Sequence, residues 1–328
     1  MLKRIEIVVL GERDTAAMAP GRREIIDIIE RTYRAAAAGA AEVPTKTGVH
    51  PDFPASFCHA MPAWVEAERA LGMKWITYYP GNMARGLPDS SAIIVLNDAD
   101  TGMPVAVMGG MWITYARTAA CAAVAACHLA PPRARRLGLL GCGGLGTWSL
   151  RMLSEVLPDL AEVRVASRSR ESRERFCREM AAQGPWTLVP VDRNEDAVRE
   201  CDVIVSSIPP SKTPEAFEAW WSPGALAIPL EVAGCWDNAA FERTDVLVSD
   251  GFELLVRAAS QMRPGLVLSK ESHVRLEDVV AGRAQGRRSP EQRIMAVPTG
   301  VASVDMTLGW EIFRRARAAG LGTAISLT

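Results

Sequence analysis

Apolar and polar residues alternate in short runs in the first part of the chain, and this alternation predicts β-strands. The runs are RIEIVVL, MKWITYYPGN and the two halves of SAIIVLNDADTGMPVAVMGG, where Asp100, Thr101 and Gly102 predict a hairpin. GRREIIDIIERTYRAAAAGAAEVP has apolar residues at helical spacing, and TYARTAACAAVAACHLA is typical of a closely packed helix of small residues. We therefore expect an α+β domain over residues 1–127.

After Pro131 and Pro132, which we interpret as a hinge, predicted strands alternate with predicted helices. The strands lie in RLGLLG, AEVRVASR, WTLVPV, CDVIVSSIPP, ALAIPLEV and TDVLVSD. This alternation predicts an α/β fold with a parallel, doubly wound sheet over residues 128–299. TGVASVDMTLGWEIFRRARAAG predicts a long closing helix, and we expect residues 300–328 to return to the first domain, which is then discontinuous.

The composition of the chain argues against several classes of protein. The chain has 328 residues, is 48% hydrophobic and carries a net charge of −1. Without a basic excess there is no electrostatic basis for a nucleic-acid partner, and no apolar run is long enough to span a membrane. The cysteines and histidines lack metal-ligand spacing, so no metal site is expected. We expect a cytoplasmic protein.

A glycine-rich turn follows the first strand of the second domain. RLGLLG leads into Gly141, Gly143 and Gly146, which form a G-x-G-x-x-G pattern before a predicted helix. The first glycine permits the tight turn, the second lets the backbone approach a pyrophosphate, and the third brings the helix against the strand. The turn, with Gly144 and Leu145 inside it, therefore predicts a dinucleotide site on a Rossmann-type domain.

The residues after the next strand indicate which dinucleotide binds. About 20 residues beyond the glycine turn, NAD-binding domains usually carry an acidic residue that binds the ribose hydroxyls. This chain has Ser167, Arg168, Ser169 and Arg170 there instead. A guanidinium pairs with a 2′-phosphate, so we expect NADPH in preference to NADH. Solvated arginines without a ligand are the alternative.

Several motifs resemble one family in their order and spacing. These are MPAW, GMKWITYYPGN, GLP, VLNDADTGMPVAVMGG, TYARTAA and LGLLGCGGLG, with GVASVDMTLGWEIFRRARAAGLG at the end. They are similar to the ornithine cyclodeaminase/mu-crystallin family, which includes archaeal alanine dehydrogenase and ketimine reductases. The resemblance implies a Rossmann-type doubly wound nucleotide-binding domain and a discontinuous α+β domain that binds substrate and forms a homodimer.

The same resemblance implies which residues bind the substrate, a small amino, imino or keto acid. Its carboxylate would be held by Lys46, Lys74 and Arg117, and Lys74 would also act in catalysis. Independently of the resemblance, Lys74 in an apolar strand and Arg117 on a helix of small residues each need an anionic partner. An internal salt bridge to Asp or Glu is the alternative for both. Asn82 and His59 are further substrate-site candidates; His59 is either an acid/base or a structural histidine.

The chain departs from the family where two of its members share G-x-D-x-P-G-K-x-E-L. Here the segment is AIPLEVAGCWDNAAF, with Gly234 in place of the aspartate that assists proton transfer. Glu231 and Asp237 are the nearby carboxylates that could replace it. Glu231 ends an apolar strand, where burial would raise its pKa. A helix cap is the alternative for either residue, and for Asp237 the favoured one.

Further cofactor contacts are expected at the ends of other elements. Pro298 stands where the family usually has a serine, so the nicotinamide-side contacts there are expected to differ. The remaining candidates are Thr118, Ser206, Ser207 and Ile208.

These observations favour an NADPH-dependent reductase that transfers hydride to the C=N bond of a cyclic ketimine or a keto-acid-derived imine. One alternative is a redox-neutral, NAD-dependent cyclodeaminase, a lyase, which the Ser-Arg-Ser-Arg segment and the missing aspartate disfavour. The other is a protein that binds NADPH and a carboxylate ligand without turnover.

Overall fold

The structure, a computed structural model, describes residues 5–51, 56–209 and 211–328. Contacts between residues divide the chain into two units, 1–117 with 301–328, and 118–300. The C-terminal segment thus belongs to the same unit as the N-terminal part. The first boundary falls inside a helix, at Arg117, and not after residue 127. Pro131 and Pro132 lie within the second unit, in the connection between a helix and a strand, so they are not a hinge between the units.

The elements are numbered along the whole chain. The strands are β1 (Glu6–Leu10), β2 (Ala41–Glu42), β3 (Thr47–Val49), β4 (Phe57–Val65), β5 (Ala70–Tyr78), β6 (Ser90–Asn97), β7 (Pro104–Gly109), β8 (Arg136–Leu140), β9 (Glu162–Ala166), β10 (Thr187–Pro190), β11 (Val203–Ser206), β12 (Leu226–Pro229), β13 (Val246–Ser249), β14 (His273–Arg275), β15 (Ile294–Val297) and β16 (Thr323–Ser326). The helices are α1 (Glu12–Ala17), α2 (Arg22–Ala37), α3 (Met111–Leu129), α4 (Gly144–Leu153), α5 (Arg170–Met180), α6 (Asn194–Val198), α7 (Asn238–Glu242), α8 (Phe252–Met262), α9 (Leu276–Val280) and α10 (Ala302–Ala318).

The first unit is built on a mostly antiparallel sheet in the order β16-β1-β7-β6-β5-β4-β2, with β3 also paired to β4. Among the described strands of this unit, only β1 and β7 pair in parallel. Helix α10 packs on β4, β5 and β6, and α2 packs on α10. In the register of the sheet, Lys74 lies opposite Met61 on β4 and Ile94 on β6. These three residues are buried, so the middle of the sheet faces α10 with a lysine at its centre.

The opposite face of this sheet is also apolar but less buried. Side chains alternate between the two faces of a strand, so the neighbours of Lys74 on β5 point away from α10. The apolar side chains on that face are Trp64, Met73, Trp75, Ile93, Val95 and Val107, all half-buried except Ile93, which is 45% exposed. The first unit therefore has one sheet face under α10 and a second, partly exposed apolar face.

The second unit contains a parallel sheet in the order β10-β9-β8-β11-β12-β15-β13-β14. The chain runs outward from β8 to β10 and then returns to start the other half at β11. Such a reversal is where doubly wound sheets bind ligands, beside the carboxyl ends of the strands. Here those ends lead into Gly141 after β8 and Ser207 after β11. The predicted Rossmann-type doubly wound sheet is confirmed.

Six strands differ from the sequence prediction, among them the short β2, which lies in the predicted helical segment, and β3. FCHAMPAWV forms β4, a long strand paired with β5, because its aromatic and β-branched residues fill a pleated surface although proline and histidine interrupt the alternation. The four-residue run IMAV forms β15, which lies between β12 and β13. β14 and β16 are edge strands of three and four residues, too short to show a period.

Candidate active site

A buried lysine, an arginine and an aspartate meet in the first unit. Lys74 is on β5, Arg117 on α3, and Asp305 in the first turn of α10. The Lys74 Nζ donates to Asp305 Oδ1 at 2.7 Å, and the Arg117 Nε donates to the same oxygen at 2.9 Å. One carboxylate oxygen therefore holds two cations that come from different elements of the sequence.

Opposing effects act on the pKa of Lys74. It is lowered to about 7, chiefly by burial and then by the positive charge of Arg117, with a smaller effect of Lys46, while the charge and the hydrogen bond of Asp305 act in the opposite direction. Lys46, half-buried just before β3, thus contributes to the same field. Arg117 and Lys46 thus oppose the charged form of Lys74, and Asp305 favours it.

Lys74 and Arg117 have an anionic partner inside the protein. The anion that the sequence predicts for each of them is the carboxylate of Asp305. The internal salt bridge weighed as the alternative is thus present for both residues, and burial alone does not require a substrate carboxylate. Sequence reasoning missed Asp305, although an acid inside the apolar run GVASVDMTLG was a signal for it.

The other two candidates of the first unit lie in local structural contacts. His59, on β4, has its Nε2 3.2 Å from the Nε2 of His50 and stacks on Phe57 with ring centroids 4.2 Å apart. Asn82 lies in a short 3-10 helix and donates from its Nδ2 to the Pro88 carbonyl oxygen. These contacts favour the structural interpretation of His59 and give Asn82 a role in its own loop.

The glycine turn of the second unit has the geometry that its spacing predicts. Gly141 has a φ of +103°, and a Cβ there would meet the Ser207 carbonyl oxygen at 2.8 Å. A Cβ on Gly146 would lie 2.3 Å from the Gly141 carbonyl oxygen, so helix α4 packs directly on the turn. Gly143 has open space in front of its Cα, and Gly144 is likewise exposed. Leu145 is half-buried between them and Gly146. The turn thus leaves its backbone accessible at the position where a pyrophosphate would approach.

The two arginines in the segment after β9 have different surroundings. Arg170 pairs with Glu174 through its Nε at 2.7 Å, one turn along α5. Arg168 is exposed and makes no ion pair with a residue in the described ranges. Ser167 donates to the Ser169 carbonyl oxygen, and Ser169 accepts the Ser172 N–H as the cap of α5. Arg168 is therefore the arginine available to a ligand phosphate.

A buried carboxyl lies at the ends of β11 and β12. Ser206, fully buried, donates to Glu231 Oε1 at 2.9 Å, while Glu231 Oε2 is buried without a hydrogen-bond partner in the described part of the chain. Burial raises the pKa of Glu231 to about 8, against the effects of the Ser206 hydrogen bond and the nearby Arg263 charge. Glu231 can thus hold a proton at neutral pH, as expected for a proton donor. Ser206 serves this carboxyl and is not exposed to a cofactor, whereas Ser207 and Ile208 are half-buried.

Asp237 does not share this environment. Its Oδ1 accepts the N–H of Ala240 as the cap of α7, and also the N–H of Glu218. Both hydrogen bonds fix backbone at a helix start, which is the favoured alternative of the sequence analysis. These contacts favour the helix-cap interpretation of Asp237, and its catalytic role stays a prediction beside that of Glu231.

The last two cofactor candidates are buried. Pro298 follows β15, and the next residue, Thr299, donates both its N–H and its Oγ1 to Asp250 Oδ1, at 2.6 and 2.7 Å. Thr118, on α3, is 9% exposed. Within the described ranges, no three His, Cys, Asp or Glu side chains are grouped so that they could hold a metal ion, and no helix there is long and apolar enough to cross a membrane.

Comparison with known proteins assigns the family. The sequence pattern of the ornithine cyclodeaminase/mu-crystallin family matches residues 13–320. The chain belongs to this family. It is 34% identical to the nodulation efficiency protein NfeD of Rhizobium meliloti over 321 residues, which cover 97% of this chain and 98% of the relative. The predicted resemblance is confirmed.

Solved structures of the family share the fold over nearly the whole chain. The Delta(1)-pyrroline-2-carboxylate reductase of Thermococcus litoralis, in complex with NADH and L-proline, has a TM-score of 0.89 and 25% identity over 97% of this chain and 99% of its own. An archaeal alanine dehydrogenase dimer with bound NAD has a TM-score of 0.89 and 26% identity over 99% of this chain and 100% of its own. These family members are a reductase and a dehydrogenase that bind nicotinamide cofactors, in agreement with the predicted oxidoreductase class.

Proposed function

We propose that the protein is an NADPH-dependent reductase of a cyclic ketimine, or of an imine formed from a keto acid and an amine. The observation that carries this proposal is that Lys74 and Arg117 are held side by side at one carboxylate oxygen, in a chain that also has an open glycine turn for a dinucleotide. A carboxylate-bearing substrate and a hydride-donating cofactor are what these two features would bind.

The first unit would hold the carboxylate of the substrate. Arg117 keeps 7% of its side chain exposed, whereas Lys74 is fully buried behind the shared carboxylate. We infer that Arg117 makes the direct contact and that Lys74 and Lys46 add the charge that attracts the anion. A fixed carboxylate also fixes the orientation of the attached C=N bond, and orientation supplies a large part of the rate in such reactions.

The second unit would hold the cofactor, which supplies the hydride when bound. The turn from Gly141 to Gly146 and the N-terminus of α4 fit a pyrophosphate, because exposed backbone N–H groups and the helix dipole both favour an anion there. The exposed guanidinium of Arg168 fits a 2′-phosphate. NADPH is therefore the cofactor proposed, although the two solved relatives bind NAD or NADH.

The substrate nitrogen needs a proton when the C=N bond is reduced. Glu231 is proposed as its source, because its pKa of about 8 leaves the carboxyl protonated at neutral pH. Its unpartnered Oε2 atom is compatible with this role, since no hydrogen bond within the described residues occupies it.

The cyclodeaminase alternative is less well supported by the first unit. A diamino acid carries a second ammonium group, which a binding site would match with a carboxylate. The central strands β4, β5 and β6 contain no acidic residue in Phe57–Val65, Ala70–Tyr78 or Ser90–Asn97. These three strands thus offer no carboxylate of their own for that ammonium.

The proposed reaction is tested by following NADPH absorbance at 340 nm with cyclic imino acids and with pyruvate plus amines. Oxidation of NADPH with one of these substrates, and no ammonia release from ornithine or lysine, is the expected result. Ammonia release without net NADPH oxidation would identify a cyclodeaminase instead. Binding of NADPH and a carboxylate without either reaction would identify a ligand-binding protein.

A further inference from the structure

Asp305 occupies an unusual place for a carboxylate. It is fully buried in the first turn of the closing helix α10, and its Oδ1 accepts from both Lys74 Nζ and Arg117 Nε. Its Oδ2 is buried and has no hydrogen-bond partner in the described ranges. Transfer of a carboxylate from water to the protein interior costs free energy, and an oxygen without a hydrogen bond adds to that cost. A purely structural ion pair would be expected to satisfy both oxygens.

We propose that Asp305 is a positioning residue of the substrate-anchoring site, which holds the Lys74 ammonium and the Arg117 guanidinium in one fixed arrangement and stabilises the ammonium form of Lys74. The inference rests on the proposed function, in which these two cations attract the substrate carboxylate. Asp305 acts through Lys74 and Arg117 and need not touch the substrate itself.

The surroundings of Lys74 make its charge depend on Asp305. Its neighbours across the sheet, Met61 on β4 and Ile94 on β6, do not titrate. The charged groups that act on it are Arg117 from α3, Lys46 from the segment before β3, and Asp305 from α10. Two of these three repel the ammonium, and Asp305 alone among them stabilises it. Without the Asp305 carboxylate, the Lys74 ammonium would lose its proton at a lower pH.

The arrangement also explains why the carboxylate is shared. The Lys74 Nζ has three N–H groups, and Asp305 is its one hydrogen-bond partner in the described chain. Because both cations donate to the same oxygen, their heads are held beside each other. A single aspartate thus orients both anchoring groups.

The experiment follows the protonation of Lys74 directly. The chain contains only five lysines, so lysine labelled with 13C at Cε gives five resolvable signals, and Lys74→Arg identifies that of Lys74. The titration is recorded in the full-length wild type and in Asp305→Asn. We expect the Lys74 midpoint to fall by at least about one pH unit in Asp305→Asn, which lowers the charged fraction above the midpoint about tenfold.

Kinetics on the same proteins test the link to the substrate. In Asp305→Asn, the alkaline limb of kcat/KM for the imine should move to lower pH together with the Lys74 midpoint, and KM should rise about tenfold at pH 7.5. The matched control is Thr307→Val, which alters another buried polar group of α10, one bonded to Thr32. It should lower the melting temperature without moving either pH profile.

The outcomes distinguish a failure of the Asp305 proposal from a failure of the proposed function. An unchanged Lys74 midpoint in Asp305→Asn, or a loss of activity that follows melting temperature alone as in Thr307→Val, would overturn the proposal. If the wild type reduces no imine, the proposed function fails, whereas the lysine titration still decides whether Asp305 controls Lys74. If Asp305→Asn does not fold, Asp305→Glu keeps the charge but displaces the oxygen. A rise in KM with a shifted Lys74 midpoint is then expected, and no change in either would contradict the role.

Discussion

Two exposed arginines after β9 have different surroundings, and this difference leads to a prediction about cofactor choice. Arg170 is paired with Glu174, while Arg168 makes no ion pair in the described part of the chain. Arg168→Glu should therefore reverse the preference from NADPH to NADH, with KM for NADPH raised at least about tenfold by repulsion of the 2′-phosphate. The measurement is kcat/KM with each cofactor.

Arg178→Ala, at an exposed position of the same helix α5, is the matched control and should leave the preference unchanged. A wild-type enzyme that prefers NADH, or an Arg168→Glu variant with an unaltered cofactor ratio, would contradict the assignment of NADPH.

Glu231 links the pH dependence of stability to that of catalysis. Its pKa is raised from 4.5 to about 8 in the folded protein, so between these values the folded state binds a proton that the unfolded state releases. Its contribution to stability is present below pH 4.5 and is lost as the pH rises to about 8. Urea unfolding should therefore give a lower free energy of unfolding at pH 8 than at pH 5.5. In Glu231→Gln this difference between the two pH values should be smaller by at least about 1.4 kcal/mol, the equivalent of one pKa unit.

The same substitution tests the proposed proton donor. Glu231→Gln should lower kcat by at least about 100-fold, which is typical for loss of a general acid. Glu277, buried with a pKa raised to about 7, provides the control. Glu277→Gln should also reduce the pH dependence of the free energy of unfolding, but it should leave kcat unchanged. Equal effects of the two substitutions on kcat would remove Glu231 from the mechanism.

At the level of elements, two glycines of the turn between β8 and α4 allow helix packing and cofactor binding to be tested separately. A Cβ on Gly143 meets nothing within 4 Å, whereas one on Gly146 would lie 2.3 Å from the Gly141 carbonyl oxygen. Gly143→Ala should therefore keep the melting temperature and raise the Kd for NADPH about tenfold or more, because a methyl group would stand where the pyrophosphate approaches. Calorimetric titration with NADPH measures this effect.

Gly146→Ala is the comparison at the same turn. Its methyl group would displace α4 from the strand, so it should lower both the melting temperature and NADPH affinity. If Gly143→Ala binds NADPH as the wild type does, the cofactor does not lie over this turn.

At the level of the whole molecule, the second face of the first sheet supports the predicted homodimer. Large apolar side chains such as Trp75 and Ile93 lie there, and Ile93 is 45% exposed. The similar archaeal alanine dehydrogenase is a dimer. We predict that Ile93→Glu converts a dimer into monomers, because a charge buried at an interface is unfavourable. Light scattering coupled to gel filtration measures the mass.

Val267, an 85% exposed apolar residue elsewhere in the chain, is the matched control. Val267→Glu should leave the dimer intact. A monomeric wild type, or an Ile93→Glu variant that remains dimeric, would show that this face is not the interface.

The prediction from sequence was most successful where local patterns carry the information. The glycine turn and the strand-helix alternation depend on residues close together in the chain, and both are present as predicted. Helix α2 also follows its apolar spacing, although it ends at Ala37 and does not extend through the AGAAEVP residues of the predicted helical segment. β15 was missed because a four-residue apolar run has no period, and its position between β12 and β13 is decided by pairing with distant residues.

The sequence by itself determined the family, the parallel nucleotide-binding sheet and the cations at 74 and 117, because these follow from residue types and short spacings. Only the tertiary structure decided their surroundings. Asp305 is 231 residues from Lys74 and 188 from Arg117, so no local pattern could bring them to one oxygen. Folding likewise made Asp237 a helix cap and left Glu231 buried, since the environment of a carboxyl depends on which distant groups surround it.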